Sequence, residues 1–224
     1  TASILSLARE AAGLGVSLVV FPELCVTGYT CGDLFSQELL SRVSLAAVRL
    51  IADKTRDLAT TLVVGFPFSR GAARYNCAAV IARGQVVGIV PKMHMPNYGE
   101  FYELRHFTPG PEETEMIPPG VFGPEKVPFG AKILFCDEKN QDIAFALEIC
   151  EDLWVPKAPA AAHADYYVYC ANNRIEVDGR SPDQMRIARG SGVCQMGPKF
   201  GFLSSAQDFA RNNFGGAGRP CSCR

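Results

Sequence analysis

Two short, uninterrupted apolar runs, residues 17–21 (SLVVF) and 61–66 (TLVVGF), constrain this chain more than any other feature. A strand with one wet face alternates apolar and polar side chains. A run that is apolar at every position has to bury both faces. Strands of that kind need cover on each side, so a sheet with its faces covered by helices is the expected solution. The intervening segments supply cover. Residues 3–12 (SILSLAREAA) have helical periodicity and stop at Gly13 and Gly15, and residues 36–59 read as a long amphipathic helix. Residues 75–82 and 85–90 flank Arg83-Gly84, a hairpin signal. Residues 108–130, rich in Pro, Gly and Glu, read as a surface loop. Beyond it, residues 132–135, 142–147 and 166–170 read as strands and 158–164 as a helix. The alternation of strands and helices gives an α/β class. From about residue 174 glycines interrupt the pattern repeatedly, and the end is expected to be irregular or disordered.

Bulk properties exclude several functions. A net charge of -1 and a pI near 6.3 leave no electrostatic footprint for nucleic acid or an anionic membrane. No apolar run approaches the ~20 residues that span a bilayer. The start has no basic n-region or cleavage site, so no signal peptide is read there, and the chain is expected to be cytoplasmic. Nine cysteines, an odd number without C-x-x-C spacing, argue for a reducing compartment rather than a disulfide framework. His94, His106 and His163 do not sit at zinc-ligand spacing to any cysteine pair, so no metal is expected.

Three residues with chemistry stand at the ends of strongly apolar strands: Glu23 after LVVFP, Lys92 after VVGIVP and Cys150 after IAFALEI. Strand ends are where α/β sheets build sites. Each alone has a bland reading, a solvated charge or an inert buried thiol. Together they make a Cys-Glu-Lys constellation suited to amide hydrolysis. The reaction needs a nucleophile, a proton carrier and a stabiliser for the tetrahedral oxyanion. Cys150 supplies the thiolate. Glu23 takes the thiol proton and returns it to departing ammonia, provided burial raises its pKa. Lys92 holds positive charge beside the thiolate, and the backbone N–H of Glu151 is a second oxyanion donor.

The segments FPELCVTGYTCGDLF (21–35), PKMHMPNYGEFYELRHF (91–107) and EICEDLWVP (148–156) together resemble the carbon-nitrogen hydrolases of the nitrilase superfamily. The phrases TGY-x-CGDLF and PNY-x-EFYE are narrower and resemble its glutaminase branch, the N-terminal domain of glutamine-dependent NAD(+) synthetases. The resemblance covers roughly residues 1–172. It implies a nitrilase-like α-β-β-α sandwich of four layers, in which two such domains can stack sheet on sheet, and a homo-oligomer. It implies Glu23 as base, Lys92 as catalytic lysine and Cys150 as nucleophile. It further implies a substrate-facing set of Tyr98, Glu103, Asn172 and Arg180, with Glu103 rather than Glu100 as the glutamate that supports the lysine. L-glutamine is the implied substrate, and no cofactor is needed for its hydrolysis. ATP and Mg are implied only for a partner synthetase domain, which would use the ammonia to amidate nicotinate adenine dinucleotide.

The chain departs from that family in three places. The family begins with a strand ahead of the first helix, which this chain is expected to lack, and its loss would leave an unpaired sheet edge or an unfilled core position. The S-G-G-x-D-S pyrophosphate loop of the synthetase domain is absent. Where the family has a segment like NLSASN followed by Gly-Lys, this chain reads YCANNRIEVDGR, so Asn172 and Arg180 align only with a gap, and Arg for Lys is not a neutral exchange. After Arg189 the match ends. A hydrolase region at 1–173 and a diverged end of the same domain at 174–224 are expected, the latter testable as a frame-shifted end by reading the coding DNA in all frames. Two alternatives stay open: a stand-alone amidase of the same superfamily acting on another small amide, and a truncated fragment without activity.

Overall fold

The computed structural model describes residues 1–137, 144–155, 158–159, 167–170 and 200–202. Helix α1 (Ala2–Gly13) leads into β1 (Leu18–Val20), whose three side chains are all buried. A 3-10 segment, Tyr29–Ser36, precedes α2 (Glu38–Lys54). Strands β2 (Thr61–Arg70), β3 (Ala73–Ala82) and β4 (Gln85–Pro91) then run as an antiparallel meander. Short strands follow: β5 (Glu115–Ile117), β6 (Val127–Phe129), β7 (Phe135–Cys136), β8 (Ala144–Glu148), β9 (Tyr167–Cys170) and β10 (Phe200–Phe202). They form a seven-stranded sheet in the order β10-β1-β2-β3-β4-β6-β5 and a three-stranded sheet, β7-β8-β9.

The period-2 geometry of strands explains the uninterrupted apolar runs. On β1, β2 and β3 one set of side chains, among them Val19, Leu62, Val64, Phe66, Ala79 and Ile81, packs with Ile4, Ala8 and Ala11 of α1 and Val48 and Ile51 of α2. The alternate set, Leu18, Val20, Val63, Ala78 and Val80, packs with Phe135, Leu147 and Ile149 from the smaller sheet region. The large sheet is thus buried on both faces, under helices on one side and a second sheet on the other. Three layers of the expected four lie among the described residues. The helix read at 158–164 falls outside them except for residues 158 and 159.

Three expectations are corrected. The 108–130 segment is not only loop. β5 and β6 pair within it, and β6 joins β4, because Ile117, Val127 and Phe129 have buried positions to fill. Three-residue strands beside prolines are too short to carry a periodic signal. Helix α2 is shorter than 36–59. Its start is taken by the 3-10 segment, and it ends at Lys54, capped by Thr55, whose hydroxyl donates to the Ile51 carbonyl at 2.8 Å. The edge of β1 away from β2 is not open, since β10 pairs with it in parallel, Leu18 opposite Phe200.

Candidate active site

Glu23 lies where the chain leaves β1. Its neighbour Leu24 takes a left-handed backbone (φ 52°), which turns the chain sharply, and the Leu24 side chain is buried against Phe35 and Phe107. The turn rests on β2 at Gly65, whose carbonyl accepts from the Val26 N–H at 3.1 Å. Lys92 directly follows β4, and its N–H donates to the Asn76 carbonyl of β3 at 2.8 Å. Cys150 follows β8 at the start of a 3-10 turn, Cys150–Leu153, and is itself left-handed (φ 50°). A non-glycine residue held there costs on the order of 1–3 kcal/mol. The surroundings must hold it in place, and the turn throws its thiol off the strand end.

The side chains of Glu23 and Lys92 are completely buried and joined at 2.8 Å between Nζ and Oε1. Lys92 Nζ also donates to both oxygens of Glu103, each at 2.8 Å. Glu103 in turn accepts from the Tyr29 hydroxyl at 2.5 Å. Glu100, the other glutamate of the EFYE segment, is exposed. One ammonium therefore faces two carboxylates, an excess of negative charge in a buried place. Burial lowers the Lys92 pKa, but Glu23, Glu103 and the neighbouring thiol outweigh it and hold that pKa above the ordinary lysine value. Burial raises the Glu23 pKa, opposed by Lys92 and aided by Glu103. Burial pushes the Cys150 thiol up to about 12, with the charge of Glu23 adding to it and Lys92 opposing. In the resting site the thiol is protonated, and Glu23 is a stronger base than a surface carboxylate.

Four residues that the sequence reading passed over complete the arrangement. Asn76 Nδ2 donates to Glu23 Oε1 at 2.6 Å. Tyr29 anchors Glu103, as above. Asp152, almost fully buried, accepts from the Met93 N–H at 3.1 Å and the His94 N–H at 2.8 Å, and pairs with His94 Nδ1 at 2.9 Å. It ties the backbone after Lys92 to the turn that carries Cys150. Gly65 admits the Glu23 turn, since a Cβ there would lie 2.4 Å from the Leu24 nitrogen. Asn76 had a legible signal, a lone polar residue in an apolar strand. Asp152 was hidden beside Glu151, and Tyr29 and Gly65 act through partners far away in sequence.

Of the residues named from the sequence, Glu23, Lys92 and Glu103 meet directly, and Cys150 is within electrostatic reach of all three. Tyr98 is 60% exposed, not packed in a core, and its hydroxyl donates to Glu151 Oε2 at 2.9 Å beside the thiol's turn. Asn172 and Arg180 lie outside the described residues. Among the described residues no group of His, Cys, Asp and Glu could hold a metal ion, and no helix is long and apolar enough to cross a membrane.

The family model for carbon-nitrogen hydrolases matches residues 1–194. A glutamine-dependent NAD(+) synthetase of Mycobacterium leprae is 37% identical over 86% of this chain, and one from Thermotoga maritima is 34% identical over 69% of it. The chain spans only 28% and 23% of the length of those relatives. In solved structures, a glutamine-dependent NAD(+) synthetase from Cytophaga hutchinsonii matches 66% of this chain and 24% of its own, at 32% identity and a TM-score of 0.60. An amidase from Nesterenkonia sp. shares the fold over 83% of this chain and 63% of its own, at 23% identity and a TM-score of 0.56. With motifs, layered sheets and family match in agreement, the chain belongs to the carbon-nitrogen hydrolase family and has the nitrilase fold.

Proposed function

We propose that this chain hydrolyses the side-chain amide of L-glutamine, with Cys150 as nucleophile, Glu23 as general base and acid, and Lys92 as electrostatic stabiliser. Glu23 takes the thiol proton as the sulfur attacks the amide carbon. The oxyanion that forms is met by Lys92 and by the N–H of Glu151. Collapse of the tetrahedral adduct breaks the C–N bond, and Glu23 protonates the leaving nitrogen, releasing ammonia and a thioester on Cys150. Water, deprotonated by Glu23, then attacks the thioester. Glutamate leaves and the thiol is restored. No cofactor enters these steps.

The buried Glu23–Lys92–Glu103 cluster carries this reading. A lysine with two carboxylates stays charged, and a carboxylate in a net-negative buried cluster stays basic enough to accept a thiol proton. The hydrogen bond between Tyr98 and Glu151 at the exposed end, beside the thiol's turn, supports a role for this pair in meeting the polar end of the substrate. Glutamine is chosen over other amides because the TGYTCGDLF and PNYGEFYE segments resemble the synthetase branch of the family and because a relative 37% identical over 86% of this chain is named a glutamine-dependent NAD(+) synthetase. On the same ground, the ammonia would pass to an ATP- and Mg-dependent synthetase domain outside this chain, within a homo-oligomer.

The test is ammonia release from L-glutamine and from a panel of small aliphatic amides, with Cys150→Ala as control. Glutamine turnover lost in Cys150→Ala supports the proposal. Preference for a simple aliphatic amide would make the chain an amidase of the same family, and no turnover of any amide would overturn both readings.

A further inference from the structure

We infer that Asn76 is a positioning residue that fixes which oxygen of Glu23 handles the proton. This rests on the assignment of Glu23 as the base. Asn76 is fully buried near the start of β3, on the same strand face as Ala78 and Val80, which pack toward the second sheet. A primary amide in such a place costs ~1–3 kcal/mol unless its hydrogen bonds are made. It makes a specific one: Nδ2 donates to Glu23 Oε1 at 2.6 Å. The orientation of the amide follows from chemistry, since a carboxylate oxygen only accepts and the oxygen of the amide cannot donate to it.

The same Oε1 also accepts from Lys92 Nζ at 2.8 Å. Two donors thus converge on one oxygen, while buried Oε2 has no hydrogen-bond partner among the described residues. The carboxylate is divided: Oε1 is the anchored oxygen, and Oε2 is the one free to take the thiol proton and to give it to the leaving nitrogen. Asn76 holds the second member of the pair as well. Its main-chain carbonyl accepts from the Lys92 N–H at 2.8 Å, so one residue of β3 sets the positions of both Glu23 and Lys92. Without the amide donor Glu23 can rotate about its terminal bond and present either oxygen to Lys92.

The test compares Asn76→Leu, which removes the donor, and the isosteric Asn76→Asp, which replaces the donor with an oxygen, in the full chain. Two quantities are followed against pH: kcat and KM for glutamine, and the rate of Cys150 alkylation by iodoacetamide, which needs no substrate. A hydrogen bond to a charged group is worth enough to lower kcat by on the order of 10- to 100-fold. KM should change little. Because the amide donor favours ionised Glu23, its loss should move the acidic limb of both profiles to higher pH, furthest in Asn76→Asp, where a second carboxylate faces Glu23. If Asn76→Leu does not fold, Asn76→Asp alone is scored. Acidic limbs that stay at the native pH, whatever the loss of activity, overturn the inference by reducing Asn76 to a packing residue. If native Cys150 is alkylated but glutamine is not turned over, the glutamine reading fails and the alkylation limb still decides the role of Asn76.

Discussion

Gly65→Ala should disable the site from the neighbouring strand β2, on which the Glu23 turn lies. A Cβ on Gly65 would lie 2.4 Å from the Leu24 nitrogen, 2.6 Å from the Pro22 oxygen and 2.9 Å from the Glu23 carbonyl carbon, where ordinary contact begins at 3.4 Å. All three neighbours are backbone, so no side chain can swing away. Leu24 is buried and already left-handed, which leaves its turn little slack. Relief therefore requires the Glu23 turn to lift by about 1 Å, a displacement that can cost ~100-fold in rate when it moves a reacting group. Overpacking of a core costs ~1–3 kcal/mol, and a domain of this size loses roughly 2–4 °C in Tm for each kcal/mol. Steady-state glutaminase kinetics and a thermal melt on the same preparation separate the two effects. The expected result is kcat reduced about 100-fold with a Tm lower by several degrees and the protein still folded at assay temperature. A lowered Tm with native kcat would refute the reasoning, because the strain would then be absorbed without moving Glu23.

Two further outcomes follow from Asp152 and its partner. Asp152→Asn keeps the shape and can keep an acceptor at the Oδ1 position, but it removes the charge and turns an amide N–H toward the Met93 N–H where Oδ2 now accepts, so kcat should fall by on the order of 10-fold, with the native rate in kinetics of the variant contradicting a tie between Lys92 and the nucleophile turn. The Asp152 hydrogen bond holds the His94 pKa above its ordinary value of 6.5. A raised pKa stabilises the fold fully below that value and ceases to as pH rises through the folded-state value, so the Tm gap between the native chain and His94→Gln should be widest in acid and close toward alkaline pH. A gap constant with pH would count against the pairing.

Much of this architecture is legible in the order of residues. The runs SLVVF and TLVVGF call for burial on both faces, and β1 and β2 have it. The hairpin at Arg83-Gly84 joins β3 to β4, with both residues left-handed. Strand ends followed by Glu23, Lys92 and Cys150 mark the candidate site because a strand is a rigid mount. What sequence order does not carry is contact between distant segments. Tyr29 and Glu103 meet across 74 positions, and Asn76 and Glu23 across 53. Gly65 reads as a flaw in an apolar strand until the Glu23 turn is seen lying on it. The strands β5 and β6 are hidden for a different reason: at three residues each, their pairing is decided by the buried places for Ile117 and Phe129, not by local propensity.

The central claim is that one cysteine of nine is a nucleophile toward glutamine. It is tested most directly by incubating the chain with a glutamine analogue carrying an electrophilic diazoketone in place of the carboxamide, then mapping the adduct by peptide mass spectrometry. A single adduct on Cys150, suppressed by excess L-glutamine and lost in Glu23→Gln, is the predicted result. Label spread over several cysteines, or an adduct on Cys150 that L-glutamine does not suppress, would contradict it.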